Sequence, residues 1–313
     1  DRRRVGGDRM TVQSATHMTV EWIAVDWGTS NLRASAMGPD GALATRVSDK
    51  GMGRLSRDAF EPALLDLIED WLPDVGVIEV FACGMVGSRQ GWAEATYRAV
   101  PCTPVEVAAL VTVATLDKRI KVHIAPGLLQ DSPADVMRGE ETQIAGALAL
   151  NPNFDGVFCL PGTHSKWVHV SAGEVVSFQT FMTGELFALL SGQSVLRHGM
   201  ATDGWEGDAF QQGLDDALSR PEKIGARLFG LRAENLLHGL PGATAFSRLS
   251  GLLIGVELAA AKPYWLGQNV TLIGAEKLSD LYSIALSKQG LDPRKLPSQA
   301  CTIAGLASLR SVK

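Results

Sequence analysis

The 313-residue chain exceeds the size at which one hydrophobic core usually keeps growing, and its 46% hydrophobic and 20% charged residues are those of a globular enzyme. Its formal net charge of −5 excludes a general nucleic-acid binder, which would present a basic surface. No uninterrupted apolar run approaches the ~18 residues of a membrane span, so a soluble two-lobed protein is expected, with neither nucleic acid nor membrane as a partner.

Residues 1–18 open on Arg2-Arg3-Arg4 and Gly6-Gly7 with no apolar stretch behind them, and read as a leader or a disordered tail outside the fold. Trp22 to Val25 is a short apolar run suited to a buried strand. Asp26-Trp27-Gly28-Thr29-Ser30-Asn31 interrupts it, Leu32 to Met37 resumes an extended pattern, and Pro39-Asp40-Gly41 turns the chain into a third strand over 42–47. Ser56 is the expected N-cap of a helix to Leu72, with Phe60, Leu64, Leu67, Ile68 and Trp71 on one face. A strand over 77–82 leads into the glycine-rich loop Gly84-Met85-Val86-Gly87-Ser88-Arg89-Gln90-Gly91. A helix over 105–116, a strand over 122–125 and a helix from Arg138-Gly139-Glu140-Glu141 to Leu150 follow.

The opening pattern then returns. Strand 157–160, the turn Pro161-Gly162-Thr163-His164-Ser165-Lys166, strand 167–170, the turn at Ala172-Gly173 and strand 174–181 repeat it, with Gly28 and Gly162 134 positions apart. That distance points to a duplicated domain rather than a solenoid, whose period is roughly 20–50 residues. Helices over 185–197, 207–218, 224–237 and 246–260, a strand over 269–273, and helices over 276–288 and 298–309 complete the chain. Domains are expected at 19–145 and 146–313, with the last helix packing back on the first. Cys83, Cys102, Cys159 and Cys301 are widely spaced among apolar neighbours and read as reduced thiols of a cytoplasmic protein.

There is no G-x-x-x-x-G-K-[ST] and no G-x-G-x-x-G opening a helix, which argues against P-loop and Rossmann nucleotide sites. The two Gly-Thr turns remain. Glycine admits close backbone approach, and consecutive amides with a hydroxyl make an anion-binding concavity; the plainer reading is two ordinary hairpins. Asp26, ending a buried strand, calls for a cation or hydrogen bonds, and Mg²⁺ suits a lone carboxylate. Arg33 and Lys166 are candidate charges for phosphate oxygens.

Asp26 to Arg33 resembles the phosphate-1 motif of the sugar kinase, Hsp70 and actin superfamily, and Pro161 to Trp167 resembles its phosphate-2 motif. Together with Ala82 to Arg89 and Arg138 to Gln143, these runs resemble the 2-dehydro-3-deoxygalactonokinases from about Glu21 onward. That resemblance implies an α/β fold of two RNase H-like domains with ATP and Mg²⁺ in the cleft between them, and phosphorylation of 2-dehydro-3-deoxy-D-galactonate at its 6-hydroxyl. It implies nucleotide contacts at Asp26, Gly28, Thr29, Ser30, Arg33, Gly162, Thr163, His164, Ser165 and Lys166, and an adenosine segment with Gly274, Ala275 and Leu278. Related kinases carry a catalytic carboxylate ahead of phosphate-2, where Glu140 and Glu141 stand; helix-dipole stabilisation is the alternative role. The two point about 100° apart on a helix, so one of them faces the cleft.

An acid substrate needs a clamp. Arg89, with Gly84, Met85, Gly87 and Ser88 around it, is the first candidate, a surface arginine the alternative, and Lys50 and Arg54 weaker ones. Trp71, Trp205 and Trp265 read as core or interface, and Leu186-Phe187-Leu189-Leu190 as core or a homodimer contact. The rival readings are a kinase of another sugar or sugar acid, and an ATP-binding chaperone or filament subunit.

Overall fold

The computed structural model describes residues 19–310; the expected leader lies outside them. Trp22–Trp27 (β1), Leu32–Gly38 (β2) and Gly41–Ser48 (β3) form an antiparallel meander. Phe60–Ile68 (α1) and Ile78–Cys83 (β4) follow, then Arg98–Ala99 (β5), Val111–Val113 (β6), Ile120–Ile124 (β7), Leu128–Gln130 (β8), Asp135–Met137 (β9) and Glu140–Leu150 (α2). The second half repeats the meander as Gly156–Leu160 (β10), Ser165–Ser171 (β11) and Glu174–Phe181 (β12). A helical layer of Thr183–Gly192 (α3), Gly207–Ser219 (α4), Ile224–His238 (α5), Gly242–Ala260 (α6) and Lys262–Trp265 (α7) separates it from Val270–Gly274 (β13), Glu276–Ser287 (α8), Arg294–Pro297 (β14) and Ser298–Ser308 (α9).

The two principal sheets have orders β3-β2-β1-β4-β7-β6 and β12-β11-β10-β13-β14. In each, a meander is extended by two strands parallel to its first member, β4 and β7 in one sheet and β13 and β14 in the other, with β6 added antiparallel at the edge of the first; this is the RNase H-like arrangement repeated within one chain. Strand alternation decides what each face meets. Ile23, Val25 and Trp27 of β1 enter the core beneath α1, whereas Trp22 and Ala24 point the other way, toward Leu306 of α9. In the second sheet Cys159 faces the core of α4, α6 and α8, and Phe158 and Leu160 face α2.

The final helices of the two repeats, α2 and α9, cross between the sheets. A Cβ on Gly146 would overlap the Cys301 carbonyl oxygen, and one on Gly305 the Thr142 carbonyl oxygen. The crossing is therefore backbone on backbone, open only to glycine. The boundary expected at 145/146 falls inside α2, and α9 reaches the first sheet through Leu306 and Leu309.

Some local expectations fail. The helix over 105–116 is a single 3-10 turn at Val107–Ala109 followed by β6, because β-branched Val111, Thr112 and Val113 pair as an antiparallel edge on β7. Ser56 spends its hydroxyl on Asp58, 2.5 Å away, and makes no side-chain cap to the 3-10 turn at Arg57–Ala59. A small sheet, β5-β8-β9, was not anticipated; it leans on β12, where the Gln130 side chain bonds both the amide and the carbonyl of Phe178. By length and composition α6 could cross a membrane, but 61% of its apolar window is buried inside the fold, as for a core helix. The crossing predicts that Gly146→Val lowers unfolding free energy by about 2 kcal/mol or more, measured by urea denaturation.

Candidate active site

Parallel strands β1 and β4 end together at Asp26 and Cys83, and the loops beyond them form the site, as is usual at the carboxyl edge of an α/β sheet. Asp26 shares the β1 face of Trp22 and Ala24, so its half-buried carboxylate looks toward α9 while Trp27 plunges into the core. Burial raises the Asp26 pKa, opposed by Arg33, whose Nη1 lies 3.9 Å away. Trp27 Nε1 donates to the Lys50 carbonyl at 2.9 Å, and the Met52 and Gly53 amides donate to the Gly28 and Thr29 carbonyls, bracing the first Gly-Thr turn. Thr29 and Ser30 stand exposed at its tip.

The loop at Gly84 and the turn at Gly139 meet backbone to backbone. Both residues have positive φ, +93° and +107°, and a Cβ on Gly139 would come 3.4 Å from the Gly84 Cα. This turn starts α2 and separates its two glutamates. Glu141 is wholly buried, its carboxyl accepting from the Gly139 amide at 2.6 Å and the Thr142 hydroxyl at 3.2 Å. Burial, then Glu140, pushes its pKa up to about 8. Glu140 remains partly open, accepts from the Arg138 amide at 3.1 Å, and lies 4.0 Å from Lys166 Nζ. Burial pushes Glu140 up too, with Lys166 foremost among the groups pulling it down. The Cys83 thiol, at the end of β4, is raised well above its usual value by burial and then by Asp26, Glu141 and Glu140.

The second turn divides its residues by strand face. Lys166 follows the face of Val168 and Val170 toward the first domain. Expected as a free charge for phosphate, it is instead 5% exposed, donating to the Val136 carbonyl at 3.0 Å and the Thr180 hydroxyl at 2.8 Å beside Glu140. Ser165 is likewise buried and bonds the Tyr282 hydroxyl at 3.0 Å rather than facing the cleft. Gly162, Thr163 and His164 remain accessible, His164 Nε2 lying 2.6 Å from Glu185.

Behind this turn lies a network without a sequence signal. Glu257 of α6, 1% exposed, accepts from Trp167 Nε1 at 2.8 Å, the Tyr282 hydroxyl at 2.7 Å and the Thr183 hydroxyl. Burial raises its pKa. One carboxylate thus joins β11, α3, α6 and α8 around a cavity of about 310 Å³, lined among others by Gly162, Phe187, Trp205, Phe246, Ala275 and Leu278. Ala275 and Leu278, expected in an adenosine segment, line this cavity; Gly274 sits beside Pro161 and Ser279. Trp205, read as core or interface, is 39% exposed at the cavity, while Trp71 and Trp265 are core. Phe187 lines the cavity, Leu190 packs in the helical layer, and Leu186 and Leu189 are exposed.

Of the substrate-loop candidates, Gly84, Gly87 and Ser88 are buried and Met85 is partly open. The Arg89 side chain is 82% exposed, with Glu94 at 3.8 Å as its ion partner. Lys50 and Arg54 pair with Asp66 and Asp49 at the surface. The described residues contain no cluster of three or more His, Cys, Asp or Glu able to hold a metal.

Duplicated RNase H-like domains with paired Gly-Thr turns and a carboxylate between them define the class of two-domain ATP-dependent sugar kinases. More narrowly, the family model described as 2-keto-3-deoxy-galactonokinase matches residues 26–309, and the chain belongs to that family. It is 40% identical over 301 residues to a "Probable 2-dehydro-3-deoxygalactonokinase" of Rhizobium meliloti (strain 1021), spanning 92% of this chain and 95% of that protein. It is 36% identical over 295 residues to the 2-dehydro-3-deoxygalactonokinase of Escherichia coli (strain K12), spanning 93% and 98%. A crystal structure described as a 2-dehydro-3-deoxygalactonokinase protein from Sinorhizobium meliloti matches with a TM-score of 0.86 at 37% identity, over 92% of this chain and 97% of the other.

The state of Glu141 can be read from stability. Its folded pKa, about 8, lies above the unfolded value of 4.5, so the unfolded chain sheds this proton first. Its contribution to stability therefore falls as pH rises between those values, with a slope of up to about 1.4 kcal/mol per pH unit. Glu141→Gln should remove that fall, so that denaturation at pH 6 and pH 8 shows the variant gaining on the wild type at the higher pH.

Proposed function

We propose that the chain transfers the γ-phosphoryl group of ATP to the terminal 6-hydroxyl of 2-dehydro-3-deoxy-D-galactonate, with Glu140 as general base. The observation that supports this most is the position of Glu140. It is partly open, begins the helix that crosses between the domains, adjoins the turn packed on Gly84, and lies 4.0 Å from Lys166 of the other domain. Glu141 is fully buried in the same turn and serves to hold it.

Phosphoryl transfer needs positioning and charge stabilisation more than covalent chemistry. Thr29 and Ser30 on one side, and Gly162 and Thr163 on the other, offer amide and hydroxyl donors to the phosphates, with Arg33 and His164 beside them. The adenine ring occupies the apolar cavity between α3, α6 and α8. Asp26 fits Mg²⁺, which keeps most of its waters and needs few carboxylates, and a bound ion would neutralise phosphate charge there. Glu140 takes the proton of the 6-hydroxyl as its oxygen attacks the γ-phosphorus, the bond to the β–γ bridging oxygen breaks, and ADP leaves. Burial pushes the Glu140 pKa up, and Lys166 pulls it back toward the ionised form that a base requires.

An ADP-release assay across 2-keto-3-deoxy acids and neutral sugars tests the reading; turnover confined to neutral sugars contradicts it. Glu140→Gln should lower kcat by about 10²–10⁴ with ATP affinity little changed, and near-normal turnover would remove the base from this position. Lys166→Met raises the Glu140 pKa and should move the acid limb of the kcat profile to higher pH, whereas equal loss at every pH would reduce Lys166 to a structural group.

A further inference from the structure

The residue before the Gly139 turn takes no part in the mechanism above, yet its side chain has an unusual setting. Arg138 stacks over the Tyr97 ring, its guanidinium carbon 4.2 Å from the centroid. Its one side-chain hydrogen bond among the described residues runs from Nη2 to the Ala95 carbonyl at 2.9 Å. Among the described residues Nε and Nη1 are buried without a partner, and so is the hydroxyl of Ser88, a residue only 7% exposed. Nη1 lies 3.0 Å from where a Cβ on Gly87 would stand, and Ser88 is the next residue of that loop. A buried cation with open donors is costly unless an anion completes it. A guanidinium fixed on an aromatic face is also pre-organised to receive a carboxylate.

We propose that Arg138, assisted by Ser88, binds the carboxylate of the sugar-acid substrate, an assignment that rests on the kinase reading above. Arg138 and Glu140 lie two residues apart, their Cα atoms separated by up to about 7 Å, so both belong to the one turn that opens α2. Arg89, on the outer side of the same loop, is 82% exposed beside Glu94 and lacks this enclosure. Nη1 lies against Gly87, so the assignment requires the Gly84–Gly91 loop to move aside to admit the carboxylate.

The test uses the full chain with Arg138→Lys and Arg138→Gln, assayed on 2-dehydro-3-deoxy-D-galactonate and on its counterpart with the carboxylate replaced by a primary alcohol. Loss of a buried charge partner should raise KM for the acid roughly thirtyfold or more. KM for ATP should stay near wild type, the neutral compound should suffer far less, and Lys should recover part of what Gln loses. Equal losses on acid and neutral substrates, or an acid KM near the wild-type value, would overturn the assignment. Should both variants fail to fold, Ser88→Ala decides: a severalfold higher acid KM with unchanged ATP KM supports the site, and an unchanged acid KM rejects it. A wild type inactive on every acid would overturn the substrate reading itself, whereas active wild type with unaffected variants overturns this inference alone.

Discussion

The crossing of α2 and α9 at Gly146 and Gly305 is the contact on which the site depends. Each helix ends one repeat, and with no side chain between their backbones they cannot separate or slide without opening a void. The crossing gives Glu140 a fixed origin between two sheets. Gly139 then sets its direction, because a positive φ at that point lets the turn lie against Gly84. The position of Glu140 comes from backbone packing first and side-chain contacts second.

Two strands divide structural from chemical work by simple alternation. On β1, Trp27 enters the core while Asp26 faces the other domain; on β11, Trp167 joins the Glu257 network while Lys166 reaches Glu140. Each hairpin is thus held by an indole on one face and offers a charge on the other. Buried carboxylates recur for the same reason. Glu257 and Glu141 satisfy several donors at once, so a cluster of turns and helix ends is fixed without a large apolar contact.

Much of this was legible in the sequence. The repeated strand–Gly-Thr–strand pattern gave both meanders, and strong local signals such as Pro39-Asp40-Gly41 placed their turns. Less legible were features that depend on distant partners. Residues 105–116 pair as an edge strand because β7 is beside them, and β5, β8 and β9 are too short to carry a period. Lys166 and Ser165 lie in the motif as read, yet the sequence does not show that alternation along the strand sends them to opposite faces, Ser165 to the Tyr282 hydroxyl and Lys166 to Val136, Thr180 and Glu140. The glutamate pair stands out by its motif, and only the structure shows Glu141 buried and Glu140 partly open. Glu257 had no signal beyond being a charged residue in an apolar run, and Arg138 stood in the Arg138–Gln143 motif with nothing to mark the setting of its side chain; only the fold reveals what surrounds them.

The proposed reaction requires one nucleotide to bridge the two Gly-Thr turns, with Glu140 facing its terminal phosphate. A crystal structure with a non-hydrolysable ATP analogue and Mg²⁺ tests this. Adenine is expected in the cavity beside Phe187 and Leu278, with the phosphates between Thr29 and Thr163 and the metal near Asp26. Adenine bound elsewhere, or phosphates touching one turn only, would contradict it.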